Sequence, residues 1–377
     1  MQRVDARHHQ GEGQEAQPLH GTPIAETRRH GRGSRSNRSG RYEPLQAETV
    51  DDGWRTIEDL PPFRTDVTEE RARTIITTNT SPDISFDQSI NPYRGCEHGC
   101  SYCYARPSHA YMGHSPGLDF ETRLYVKPNA AALLEREIAA SGYVPRTIAL
   151  GTNTDPYQPI ERNWRVTRAI LEVLEAARHP VGIVTKSALV LRDIDILVRM
   201  ARDGLSKVAI SVTTLDRAVS RSMEPRASTP RRRLEAIARL AEAGIPASVM
   251  VAPIVPAIND HEIERILGAA AAAGASEAGY VLLRLPLEIK DLFREWLATE
   301  FPDRAKRVVA LMRSMRGGRD YDARWFERQR GRGPYAEQIA QRFKLALRQN
   351  RLNERRLTLR TDLFRPPVPA GGQIPLL

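Results

Sequence analysis

The chain has 377 residues, 41% of them hydrophobic, and a formal net charge of +10 at pH 7, enough apolar content for one large domain or two smaller ones. It has no apolar run of about eighteen residues and no apolar signal region at its start. A membrane span and a secretory leader are therefore not expected, and a cytoplasmic protein is. The arginine-rich excess favours polyanionic partners, although arginine use in a GC-rich genome gives the same balance.

Residues 1–48 read as a disordered polar tail. The stretches HHQGEGQEAQ and RRHGRGSRSNRSGR contain almost no large apolar residues, so they cannot offset their ordering entropy. His8, His9, His20 and His30 fit a solvated tail better than a metal site. A lead-in segment, 49–83, precedes the core, with extended stretches at 74–77 and 84–87. Within the core, 84–302, β-branched runs at 147–151, 181–187, 207–214, 246–254 and 279–285 read as buried parallel strands. Amphipathic patterns near 130–140, 165–178, 192–202, 230–243 and 260–273 read as helices between them. Asn129 and Thr229-Pro230 are start signals, and Gly244 is a stop signal. Residues 303–377 form a helical, arginine-rich extension. There Tyr335, Ile339, Phe343 and Leu347 make one apolar stripe suited to docking on the core. The arginines of 304–332 fit a salt-bridged surface better than a dedicated nucleic-acid site.

Alternation at this spacing predicts about six βα units on a parallel sheet. Six is too few for a closed eight-unit barrel. The expected fold is an α/β partial (β/α)6 barrel, with its site at the C-terminal ends of the strands.

All three cysteines, Cys96, Cys100 and Cys103, lie in NPYRGCEHGCSYCYARP. Three thiols at this spacing cannot all pair as disulfides, but they suit a soft metal centre. A zinc ion would recruit His98, His109 or His114 as a fourth ligand. An iron–sulfur cluster on three cysteines would leave one iron without a protein ligand. The placement of all three in one loop after a strand favours the cluster.

The C-x-x-x-C-x-x-C motif, with Tyr102 just before its last cysteine, resembles the radical S-adenosylmethionine superfamily. The stretches NPYRGCEHGCSYCYAR, GTNTDPYQPIE, TKSALVLRDIDIL and SVTTLD are similar to its spore photoproduct lyase-like branch, over roughly residues 70–360. The resemblance implies a [4Fe–4S] cluster on Cys96, Cys100 and Cys103, with S-adenosylmethionine chelating the open iron. It also implies reductive cleavage to a 5′-deoxyadenosyl radical that abstracts hydrogen, and an external flavodoxin- or ferredoxin-like electron donor. The cofactor contacts it implies are Tyr102, Thr154, Asp155, Lys186, Ser211 and Thr213. A lysine at the mouth end of a buried strand also needs an anionic partner on physical grounds. The cofactor carboxylate is one candidate for Lys186, and Asp193 or Asp195 is another. The related lyases use a further cysteine as hydrogen donor. Here Thr152 or Asn153 stands in about that place, and Tyr157 is a candidate substitute. The substrate stays open, with a nucleic acid among the candidates. The alternative class is a non-enzymatic zinc or iron–sulfur nucleic-acid-binding protein.

Overall fold

The computed structural model describes Ile24, Arg29, residues 31–43 and residues 62–367. Its centre is a seven-stranded sheet. The strands are β1 (Ile76–Thr78), β2 (Gln88–Ile90), β3 (Ile148–Leu150), β4 (Val181–Thr185), β5 (Ser206–Ser211), β6 (Ala247–Ile254) and β7 (Glu277–Leu282). They lie side by side in chain order. Strands β2 to β7 are all parallel, and β1 closes one edge by antiparallel pairing with β2. The six parallel strands bear out the expected count, and the sheet stays open because β7 pairs only with β6.

Five helices fill the crossovers: α1 (Ala130–Ile138), α2 (Val166–Ala176), α3 (Ile194–Arg202), α4 (Pro230–Glu242) and α5 (Ile263–Ala272). Each buries a stripe of aliphatic side chains, such as Ile170, Leu171 and Leu174 of α2, against the sheet. The α4 start follows the sequence signal, because Thr229 accepts from the Arg232 amide. Asn129 does not cap α1. Its side chain is spent on both backbone groups of Ala72, which ties the lead-in to the core. The expected strand at 84–87 also moves, and pairing begins only at Gln88. Asn79 holds the preceding loop, donating to the Phe86 carbonyl and accepting from the Ser81 amide. Those bonds turn the chain back onto β1.

After the last strand come α6 (Ile289–Glu300), which ends the core segment, and then α7 (Pro302–Ser314) and α8 (Pro334–Gln349). The predicted stripe on α8 docks as expected: Ile339 and Phe343 are buried, and Tyr335 and Leu347 pack against the same core. The dense arginines are largely paired, as in Arg313–Asp320, Arg324–Asp322 and Arg328–Asp83. No helix among the described residues is long and apolar enough to cross a membrane.

His179 sits buried just before β4. Its Nδ1 donates to the Pro180 carbonyl at 3.1 Å, and its Nε2 lies 2.8 Å from the Tyr143 hydroxyl. Burial lowers its pKa from 6.5 to about 4. The folded state therefore binds fewer protons than the unfolded state between those values. Stability is intact above the unfolded value and falls as pH drops toward 4. The shift sets the loss at about 3 kcal/mol. Urea unfolding at about pH 7 and about pH 4.5 should show this loss, and His179→Gln should reduce it. An equal acid loss in that variant would assign it to other groups.

Candidate active site

The cysteine loop begins beyond β2, at the C-terminal end of the first parallel strand. It hangs from a second, three-stranded sheet in which Arg123–Val126 pairs with Tyr93–Arg94 and Asp66–Glu69. The three thiols are free, with Cys96 and Cys100 buried and Cys103 partly exposed. Among the described residues, no three His, Cys, Asp or Glu side chains converge as ligands of a single ion. The thiols are still close enough for Cys100 and Cys103 to bear on Cys96. Burial pushes the Cys96 and Cys100 thiols up, so metal loading must release their protons.

Each histidine proposed for zinc has one ring nitrogen engaged, and His109 Nδ1 is buried without a bond. His98 Nδ1 lies 3.4 Å from Asp155, His109 Nε2 lies 2.8 Å from the Arg123 carbonyl, and His114 Nε2 lies 2.6 Å from the Tyr125 hydroxyl.

Two buried ion pairs hold the loop. Arg106, fully buried, donates to the carbonyls of Cys100, Pro116 and Gly117 and pairs with the buried Glu121. On the other side, Glu224 accepts from Tyr102, from Thr213 at 2.5 Å and from Arg233. Burial alone raises the Glu224 pKa, but Arg233 and Lys186 outweigh it and the carboxyl ends lowered.

The sequence-derived contacts fall into two groups. Lys186, just beyond β4, forms no ion pair among the described residues, and its Nζ lies 5.7 Å from the Tyr102 ring centroid. Asp193 and Asp195 are instead taken by Arg168 and Arg192. Burial favours neutral Lys186, yet the fields of Cys100, Glu224 and Asp155 leave its pKa raised, so it keeps its charge. Ser211 ends β5 close by, with its carbonyl bound by Arg233.

The other group faces inward. Asp155 accepts from Thr185, from the Tyr157 and Lys186 amides, and faces His98. Burial works against that carboxylate, but His98 and these donors bring its pKa down to about 2. Thr154 donates to the Tyr93 carbonyl at 3.1 Å. Thr213 is spent on Glu224. Tyr157, the candidate hydrogen donor, is fully buried and bonds Asp193 at 3.1 Å. The Thr152 carbonyl, in the place expected for the missing cysteine, receives the Tyr104 hydroxyl.

Sequence reading missed Arg106, Glu121, Glu224 and Arg233. It also placed 31–43 in a disordered tail, whereas those residues lie against the loop. Gly33 and Ser34 donate their amides to Glu121 at 2.9 and 2.8 Å, and Arg32 donates to the Glu121 carbonyl. Arg38 pairs with Glu295 of α6, and Arg41 with Glu288 just before that helix. The segment's one large apolar side chain, Tyr42, stays exposed, and its amides and guanidinium groups find acceptors on the core instead. The one available signal was Gly-Arg-Gly, whose bare backbone permits close approach. His8, His9, His20 and His30 of the same tail lie outside the described residues.

An open, mostly parallel α/β sheet with three free cysteines on the loop after its first parallel strand defines a radical S-adenosylmethionine protein. The radical SAM superfamily model matches residues 90–270. An uncharacterized protein of Mycobacterium tuberculosis is 38% identical over 232 residues, 61% of this chain and 68% of that protein. A radical SAM Nalpha-GlyT isomerase of Pseudomonas phage M6 is 28% identical over 207 residues, 52% of this chain and 41% of the phage protein. The fold is similar to that of spore photoproduct lyase complexed with dinucleoside spore photoproduct. The TM-score is 0.54 at 18% identity, covering 75% of this chain and 79% of the lyase. The chain belongs to the radical SAM superfamily.

A Cβ on Gly33 would lie 1.6 Å from the Gly99 carbonyl oxygen, between two of the cysteines. Gly33→Val should therefore lift the 31–43 segment off the loop. It would forfeit two hydrogen bonds to a carboxylate, at about 1.5–3 kcal/mol each. Limited trypsin cleavage at Arg32 and Arg35 should accelerate by at least about tenfold. An unchanged rate would show that the segment does not rely on this seat.

Proposed function

We propose that the protein is a radical S-adenosylmethionine enzyme in which Cys96, Cys100 and Cys103 hold a [4Fe–4S] cluster. The observation that carries this reading is a loop of three free thiols beyond the first parallel strand, with Lys186, which forms no ion pair among the described residues, bearing on Cys100. The donor set fits the group: three soft ligands on one loop, with no fourth cysteine to close the set. When bound, the cluster and S-adenosylmethionine supply one-electron cleavage of a carbon–sulfur bond, which starts hydrogen abstraction from a substrate.

The residues of the chain bind and shape. Lys186 takes the cofactor carboxylate, and Ser211 offers its hydroxyl beside it. Tyr102 packs between Cys100 and Lys186, fixed by its bond to Glu224. Thr213 acts through the same carboxylate. Thr154 and Asp155 shape the floor, Thr154 through Tyr93 and Asp155 through His98 and the Lys186 amide. An external flavodoxin- or ferredoxin-like protein delivers the electron. The net charge of +10 supports a polyanionic substrate, with nucleic acid as one candidate.

Anaerobic reconstitution with iron and sulfide should yield brown protein with about four irons per chain. With a strong reductant it should convert S-adenosylmethionine to 5′-deoxyadenosine. A colourless zinc protein that never forms 5′-deoxyadenosine would overturn the reading in favour of a non-enzymatic binder. Lys186→Met should weaken S-adenosylmethionine binding by about tenfold to a hundredfold, the worth of one charge-assisted hydrogen bond. Lys186→Arg should recover part of it. Equal affinity in wild type and Lys186→Met would move the carboxylate contact elsewhere.

A further inference from the structure

Beyond the cysteines, the open end of the sheet carries a second cation without a partner among the described residues. Arg284 lies two residues past β7, the last strand. Its guanidinium carbon stands 4.9 Å from the ring centroid of Tyr104, the residue that follows Cys103. Tyr104 is 44% exposed, so the pair borders open space.

Arginines around the cysteine loop and in the extension have partners. Arg328 is paired with Asp83, Arg226 with Glu97 and Arg324 with Asp322. Arg316 is buried and donates to the Leu283 and Glu327 carbonyls. Arg284 has neither an acid nor a hydrogen-bond acceptor among the described residues, and its Nε is buried without a bond. A guanidinium stripped of part of its water and given no acceptor is costly to keep. Stacking on a tyrosine returns about 0.5–2 kcal/mol, and it leaves the fork of N–H donors unspent. Arg284, Lys186 and Arg328 all bear on the Tyr104 hydroxyl, so this rim is positive.

We infer that Arg284, laid on Tyr104, is the point where the enzyme grips an anionic group of its substrate, a phosphate or a carboxylate. The inference rests on the radical enzyme reading above, in which Lys186 already meets the cofactor carboxylate. Arg284 then remains for the other reactant. The planar fork matches either oxyanion in bidentate fashion, which a lysine at this place would not. Tyr104 holds the guanidinium plane beside the cluster loop. The grip therefore sets the distance between the substrate's charged group and the reacting hydrogen.

The test uses the full chain, reconstituted and loaded with S-adenosylmethionine, and titrates inorganic phosphate and acetate separately by calorimetry. One of the two should bind wild type, and Arg284→Gln should weaken that binding by about tenfold or more. Arg284→Lys should restore only part. Iron content, melting temperature and S-adenosylmethionine affinity should stay at wild-type values in Arg284→Gln. Phosphate binding alone would assign a phosphate-bearing substrate, and acetate binding alone a carboxylic acid. Failure of both anions to bind wild type would overturn the inference, as would equal binding by Arg284→Gln. A loss of S-adenosylmethionine affinity in Arg284→Gln would also overturn it, because the arginine would then belong to the cofactor. Anion binding without any 5′-deoxyadenosine formation would leave this site standing and remove the radical reading instead.

Discussion

The cysteine loop depends on a buried arginine. Residues 95–118 contain no strand or α-helix, only the 3-10 turn Arg106–Met112, so their backbone groups need partners from elsewhere. Arg106 supplies them from inside, binding three loop carbonyls and spending its remaining charge on Glu121. Glu121 in turn receives two amides from the 31–43 segment. Such a pair adds little net stability, because desolvation offsets its attraction, but losing either partner costs about 3–5 kcal/mol. Its value here is geometric. The Cys100 carbonyl has one position, set by a planar donor, and the neighbouring thiols inherit that position.

The Glu224–Arg233 pair does the same for the opposite wall. Glu224 holds the ring of Tyr102 and the hydroxyl of Thr213, and its charge keeps Lys186 protonated although the lysine is largely withdrawn from water. Arg233 cancels the charge of Glu224 and also binds the Ser211 carbonyl and the Ser228 carbonyl. One acid thereby coordinates residues from the loop, β5 and α4. The division of labour is consistent across the site. Side chains with internal partners fix the walls, while Lys186 and Arg284 are left with charge to offer.

The cysteines, the six strands and the crossover helices were legible because each is a local pattern: a spacing, a β-branched run or an amphipathic stripe. Lys186 was legible because a charge at the end of a buried strand is anomalous in any fold. Glu121 and Glu224 were not. Nothing near either residue separates it from a surface glutamate, since burial arises only when Arg106 and Arg233 fold over them. Thr154, Asp155 and Thr213 were read as cofactor contacts, but sequence could not tell that their polar atoms bond within the protein, to Tyr93, to Thr185 and to Glu224. The 31–43 segment misled for a related reason. Its composition is that of an unfolded chain, and its order comes from acceptors 88 residues away. Composition measures what a segment can bury for itself, not what another segment offers it.

An open sheet must also protect its last edge, and here the extension does so with polar groups. Among the described residues no further strand pairs beyond β7, so the edge would present unpaired amides and carbonyls. Asn353 meets it like a single residue of an eighth strand. Its side-chain oxygen accepts from the Ala278 amide, its side-chain nitrogen donates to the Ala278 carbonyl, and its own amide donates to the Ser276 carbonyl. The Leu357 amide adds a bond to Glu277. Farther up the strand, Arg330 stacks 4.1 Å from the Tyr280 ring centroid, and Arg316 binds the Leu283 carbonyl. The edge is thus capped by side chains instead of by another βα unit. Capping in this way satisfies the backbone of the last strand without adding a further strand beside it.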